Sequence, residues 1–91
     1  MNIQKIIQPD EAVVNVTFSG QNGELPDPVN FQAGDGDVKG WVAEAIRTGS
    51  IPGLHAAGNV NLGDYVVDRF PATEARPYNL IQVRPKTAFG R

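Results

Sequence analysis

Residues 37–49 read DVKGWVAEAIRTG and carry the clearest helical pattern in the chain. Their apolar residues recur at i, i+3, i+4, i+7 and i+8, which places them on one stripe of a helix: Val38, Trp41, Val42, Ala45 and Ile46. We expect Asp37 to cap the first turn and Gly49 to end the helix in a left-handed conformation. The stripe predicts a helix that lies across a sheet, with Trp41 in the core.

The remaining apolar pattern favours strands. Prolines lack the N–H that a sheet ladder needs, so Pro26 and Pro28 predict a strand that begins at an edge. The pair Asn22-Gly23 predicts the hairpin turn before it. The strand candidates are residues 12–18, 29–33, 65–70 and 78–84.

The order of these elements, β-β-α-β-β, predicts an α+β domain with one helix packed across a mixed sheet. We expect the first and last strands to lie side by side, with the N-terminal hairpin in the middle of the sheet. The predicted divisions are an N-terminal arm (1–10), one domain (11–84) and a flexible C-terminal tail (85–91).

Composition limits the function. The 91 residues with 41% hydrophobic content suit one small domain, and the absence of cysteine excludes disulfides and thiolate metal sites. No cofactor or metal is indicated. The net charge of −2 argues against a dedicated nucleic-acid binder. No apolar run approaches the length of a membrane span, and no leader is evident, so a cytoplasmic protein without membrane contact is expected.

Few residues could support catalysis, so we expect no enzyme activity. His55 is the only histidine, and a catalytic set built from it with Ser19 or Ser50 has no support beyond residue type. We therefore expect His55 to be a loop or partner-contact residue. Residues 34–37, GDGD, lack the ligand spacing of a calcium loop and favour a helix-entry turn.

Three stretches resemble ubiquitin-like modifiers, which have the β-grasp fold. They are Asp37-Val38-Lys39 at the helix start, Gly49-Ser50-Ile51-Pro52 after the helix, and a last strand that leads into Phe89-Gly90-Arg91. The chain departs from this family in two ways. The connector between Phe70 and Tyr78 is short, and the usual double glycine is reduced to Gly90 followed by Arg91. Some bacterial ubiquitin-like modifiers are similar in having such atypical ends.

The resemblance implies a protein modifier whose C-terminal glycine, Gly90, is activated and conjugated after removal of Arg91. It implies an activating (adenylating) enzyme, a conjugating enzyme, an isopeptidase-type protease and a target protein as partners. The expected tail contacts are Arg84, Lys86, Phe89 and Arg91, and Arg76 adds to this basic end of the chain. The alternative is a β-grasp protein-protein interaction module that is not conjugated.

A modifier also needs an exposed apolar surface on which its partners dock. The candidate docking patch from sequence is Leu54, Val60 and Leu62, in the loop after the helix. One face of residues 78–83 is a second candidate, since this strand has apolar residues on both faces.

Overall fold

A computed structural model of the chain describes residues 7–86, and residues 1–6 and 87–91 lie outside the described part. The predicted arm and tail therefore fall largely outside it. The elements follow in the order β1 (Glu11–Phe18), β2 (Gln21–Glu24), β3 (Val29–Asn30), α1 (Asp35–Arg47), β4 (Val66–Phe70) and β5 (Asn79–Arg84). This is the small α+β arrangement that the sequence predicts, with three differences in the strands. β2 is a fifth strand, formed where the sequence predicted the hairpin turn. β3 is shorter than predicted, and β4 begins after Tyr65.

The strands form one mixed sheet in the order β2-β1-β5-β4, and β3 pairs with the start of β1. β1 and β5 are parallel neighbours, and the other pairs are antiparallel. The prediction that the first and last strands lie side by side is thus confirmed. The prediction that the N-terminal hairpin lies in the middle of the sheet is wrong, because β2 is an edge strand. The sheet and its one described helix are consistent with a β-grasp-like arrangement.

The helix begins three residues earlier than the predicted cap at Asp37 implies. Gly34 occupies the N-cap position without a side-chain hydrogen bond, so Asp37 is not the cap. Asp35 and Asp37 instead lie in the first turn, where a negative charge interacts favourably with the helix dipole. The predicted end is confirmed, because Gly49 has φ 70°, a conformation in which glycine has no steric penalty.

The core lies between α1 and the facing side of the sheet. Val38, Val42 and Ile46 from α1 are at most 1% exposed. The sheet contributes Ala12, Val14, Val16, Ile81 and Val83. The prediction that Trp41 belongs to this core is wrong, since its exposed fraction is 45%. At 3.6 residues per turn, Trp41 lies about 100° around the helix from the centre of the buried stripe, so its ring extends along the flank of α1.

The hairpin turn also differs from the prediction. Ser19 and Gly20, rather than Asn22 and Gly23, have positive φ values, 55° and 78°. Two such residues between paired strands are typical of a type I′ turn, whose twist matches that of the strands. Gly23 lies within β2, opposite Val16, where it is packed against the loop that follows α1.

Candidate protein-binding surface

One side of the sheet is not covered by α1, and we call it the open sheet face. Side chains alternate along a strand, so the buried residues Val14 and Val16 point towards α1 while Val13, Asn15 and Thr17 point to the open sheet face. The same alternation in β5 directs Leu80, Gln82 and Arg84 to this face. The open sheet face therefore combines apolar and polar side chains from the central strands.

The apolar residues on this face form a continuous row. Val13 pairs with Leu80 across β1 and β5, and Leu80 pairs with Phe70 across β5 and β4. Residues directly opposite each other share a face, so Val13, Leu80 and Phe70 form what we call the apolar row. Phe70 is 39% exposed, so its ring is accessible to a partner. The apolar row offers a partner an apolar contact on a rigid strand scaffold.

Polar side chains border the apolar row towards the carboxyl end of β5. The Arg84 guanidinium donates to Asp68 Oδ2 from Nη2 at 2.7 Å and from Nε at 3.1 Å. Because both side chains are partly exposed, the pair contributes only about 0–1 kcal/mol to stability. The pair orients Arg84 over Asp68, so a tail contact through Arg84 would exchange this ion pair for one with the partner.

Arg76 has a structural environment that the sequence does not reveal. Its Nη2 donates to the carbonyl oxygens of Phe70 and Pro71 at 3.1 and 2.6 Å, and its Nε donates to the carbonyl of Tyr78 at 3.0 Å. The guanidinium carbon also lies 5.8 Å from the centre of the Tyr78 ring. The Arg76 guanidinium thus stabilises the β4–β5 connector, which argues against its predicted contribution to the basic end of the chain.

The docking patch predicted from the loop after α1 is largely buried. Leu54 is 9% exposed and Leu62 is 5% exposed, and both belong to the core. Val60 is half-buried and packs against that core. The prediction of an exposed patch is wrong for the two leucines, because the loop packs against the domain and their side chains form part of the core. His55 lies exposed in the same loop, where its backbone N–H donates to Gln21 Oε1 at 2.9 Å.

The structure describes only the first two residues of the predicted tail, Pro85 and Lys86. β5 ends at Arg84, and Pro85 and Lys86 that follow are exposed. Phe89, Gly90 and Arg91 lie outside the described residues. The described part of the tail thus leaves the sheet into solvent at the carboxyl end of a central strand.

No protein-family model, curated protein or solved structure matches the chain. Within residues 7–86, no helix is long and apolar enough to cross a membrane. The same residues contain no group of three or more histidine, cysteine, aspartate or glutamate side chains that could hold a metal ion.

The sequence reasoning identified β5 as a candidate docking strand but missed Val13 and Phe70. The alternation in β1 already separates Val13 from Val14 and Val16, so the two faces could be distinguished. It did not indicate which face α1 covers. The burial of Val14, Val16, Ile81 and Val83, each at most 1% exposed, shows which face is covered.

Proposed function

We propose that this chain is a ubiquitin-like protein modifier, conjugated to target proteins through Gly90. The observation that carries the proposal is the position of β5. This strand lies between β1 and β4, and its carboxyl end leads through exposed Pro85 and Lys86 away from the sheet. A segment anchored by a central strand can be pulled into an enzyme's cleft while the domain stays folded outside.

The chemistry would be supplied by partner enzymes. An activating enzyme would join the Gly90 carboxylate to the α-phosphate of ATP, with release of pyrophosphate. A conjugating enzyme would pass the glycyl group to a lysine amine of the target, with release of AMP and a proton over the whole sequence. An isopeptidase-type protease would remove Arg91 beforehand and later hydrolyse the bond to the target. Glycine suits this role because its backbone enters a narrow site without a Cβ.

The distances are compatible with this role. Residues 87–90 can place Gly90 at most about 14 Å beyond Lys86, at 3.3–3.6 Å per residue. That reach is shorter than the smallest extent of the domain, 21 Å, but long enough to enter a cleft. A partner can therefore act on Gly90 without unfolding β5.

The proposal is tested with three chains that carry an N-terminal tag and end at Arg91, Gly90 or Phe89. Each is incubated with ATP in a lysate of the source cells, and covalent adducts are detected through the tag after denaturation. We expect ATP-dependent adducts from the chains ending at Arg91 and Gly90, and none from the chain ending at Phe89. Absence of adducts from both longer chains would refute conjugation.

The apolar row supports a second candidate, an interaction module that is not conjugated. Val13, Leu80 and Phe70 lie on strands that do not depend on the tail. A chain truncated after Arg84 separates the two functions. If the truncated chain still binds its partner proteins in cells and Phe70→Ala loses this binding, the interaction module is favoured. If truncation abolishes the association with other proteins, the modifier is favoured.

A further inference from the structure

A second surface lies on the other side of the molecule, between α1 and the chain that joins β2 to β3. We call it the helix groove. It is an open depression of about 320 Å³, at the lower end of the range of ligand pockets, about 300–1,000 Å³. One wall is residues 25–29, and the other is Trp41, Glu44 and Ala45 of α1 together with its C-cap residue, Thr48. These four residues are spaced i, i+3, i+4 and i+7, so they form a second stripe beside the core stripe.

The prolines explain why the groove exists. The backbone N–H of Leu25 still donates to the Val14 carbonyl at 2.9 Å, and pairing with β1 resumes at Val29. Between them, Pro26 and Pro28 have no N–H with which to bond β1, so the chain leaves the sheet and forms a wall. For the same reason a partner strand cannot receive hydrogen bonds from Pro26 or Pro28. Binding here must depend mainly on side chains.

The charges in the groove indicate the sign of the partner's charge. Its lining contains the Glu44 carboxylate close to the Trp41 ring, and no lysine, arginine or histidine is among the lining residues that the structure describes. Arg47 contacts Glu44 at 3.3 Å from outside the lining, with both side chains exposed, so this contact is easily exchanged. Trp41 adds an indole that is 45% exposed and can stack against a cation.

We propose that the helix groove binds a segment of a partner protein through a lysine or arginine side chain. The aliphatic stem would lie against Leu25, Pro28 and Ala45, and the cationic head would sit between the Trp41 ring and the Glu44 carboxylate. This arrangement would give the stem apolar contacts and the cationic head a partner of opposite charge. It is independent of conjugation, because the groove lies on the helix side of the sheet and uses no tail residue.

The test uses the full chain and three synthetic peptides. They are acetyl-Gly-Leu-Arg-Leu-Arg-Gly-amide and the same peptide with glutamine or glutamate in place of both arginines. Trp41 is the only tryptophan, so its fluorescence reports on the groove alone. Amide and methyl chemical shifts of Ala45 provide a second readout that survives substitution of Trp41. We expect the arginine peptide to bind with a Kd below about 1 mM, the glutamine peptide at least threefold more weakly, and the glutamate peptide not measurably.

Matched variants separate a specific contact from general charge attraction. Glu44→Gln should weaken binding of the arginine peptide about two- to fivefold, whereas Glu74→Gln, which removes the same charge from the exposed β4–β5 connector, should leave it unchanged. Trp41→Ala, followed by the Ala45 shifts, should weaken binding at least tenfold.

Four results of the peptide experiments would overturn the proposal. They are equal affinity for all three peptides, no saturable binding up to 5 mM peptide, equal effects of the two glutamate substitutions, and shifts confined to the open sheet face. A change of Trp41 emission on simple dilution of the protein would mean that a second copy fills the groove, and would also overturn it. Failure of conjugation would leave these outcomes unaffected.

Discussion

Replacing Gly23 with alanine should destabilise the protein although alanine suits a strand better than glycine does. A Cβ at this position would lie 2.7 Å from Ile51 Cγ2 and 2.9 Å from Leu54 Cδ1, and closer still to the backbone carbonyl oxygen of Pro52. A backbone atom cannot rotate away as a side chain can, so β2 must separate from the loop after α1. Overpacking of this kind costs about 1–3 kcal/mol, and the loss of glycine's entropy offsets about 0.4–1 kcal/mol.

We therefore expect Gly23→Ala to lower the free energy of unfolding by about 1–2 kcal/mol. In urea unfolding followed by far-UV circular dichroism, the midpoint should fall by about 0.5–1.5 M. Gly40→Ala is the matched control, because a Cβ at Gly40 in α1 meets no atom within 4 Å. The control should gain about 0.5–1 kcal/mol from helix propensity. An unchanged or raised midpoint for Gly23→Ala would refute the close packing of β2 on the loop.

Three further predictions test other parts of the structure. In urea unfolding, Ile46→Ala should lower the free energy of unfolding by about 2–5 kcal/mol and Trp41→Ala by less than about 2 kcal/mol. Equal losses of stability would contradict the different burial of the two side chains. Asn79→Ala should lower the free energy of unfolding by about 2–3 kcal/mol, because the buried amide donates to the carbonyls of Pro9 and Glu11 at 2.9 Å each. A loss below about 1 kcal/mol would mean that water replaces the amide as the donor. Burial raises the pKa of Tyr65. The folded protein then keeps a proton that the unfolded chain releases, so stability should fall as pH rises above about 10. Tyr65→Phe should remove part of this loss of stability at high pH. An identical dependence of stability on pH in the variant would contradict the role of Tyr65.

The sequence was sufficient for the fold where local pattern and tertiary packing agree. The stripe of Val38, Val42 and Ile46 predicted the helix and its buried side, and the alternation of β1 predicted a half-buried strand. It was insufficient where several residues satisfy the same pattern. Trp41 fits the helical spacing as well as Val42 does, and only the position of the sheet determines which one is buried. Asn22-Gly23 is a strong turn pair, but the register of β1 with β2 places the turn at Ser19.

The candidate sites were harder to predict, for a physical reason. Leu54 and Leu62 look like exposed loop residues in sequence, yet a domain of this size needs loop side chains to complete its core. Arg76 looks like a solvated charge, yet three carbonyl oxygens of the connector accept its hydrogen bonds. Surfaces such as the apolar row and the helix groove arise from residues far apart in the chain. Their members therefore cannot be grouped without the strand pairing.

The proposed conjugation would join Gly90 to a lysine of a target protein. Trypsin cuts after Lys86 but not between Arg84 and Pro85, so a conjugate would leave the four residues Thr87-Ala88-Phe89-Gly90 on the modified lysine. Mass spectrometry of tagged chain purified from its source cells under denaturing conditions tests the claim directly. The account predicts target peptides that carry Thr-Ala-Phe-Gly on a lysine side chain and are absent when the chain ends at Phe89. Recovery of the chain only with an unmodified carboxyl end, and of no such peptides, would contradict it.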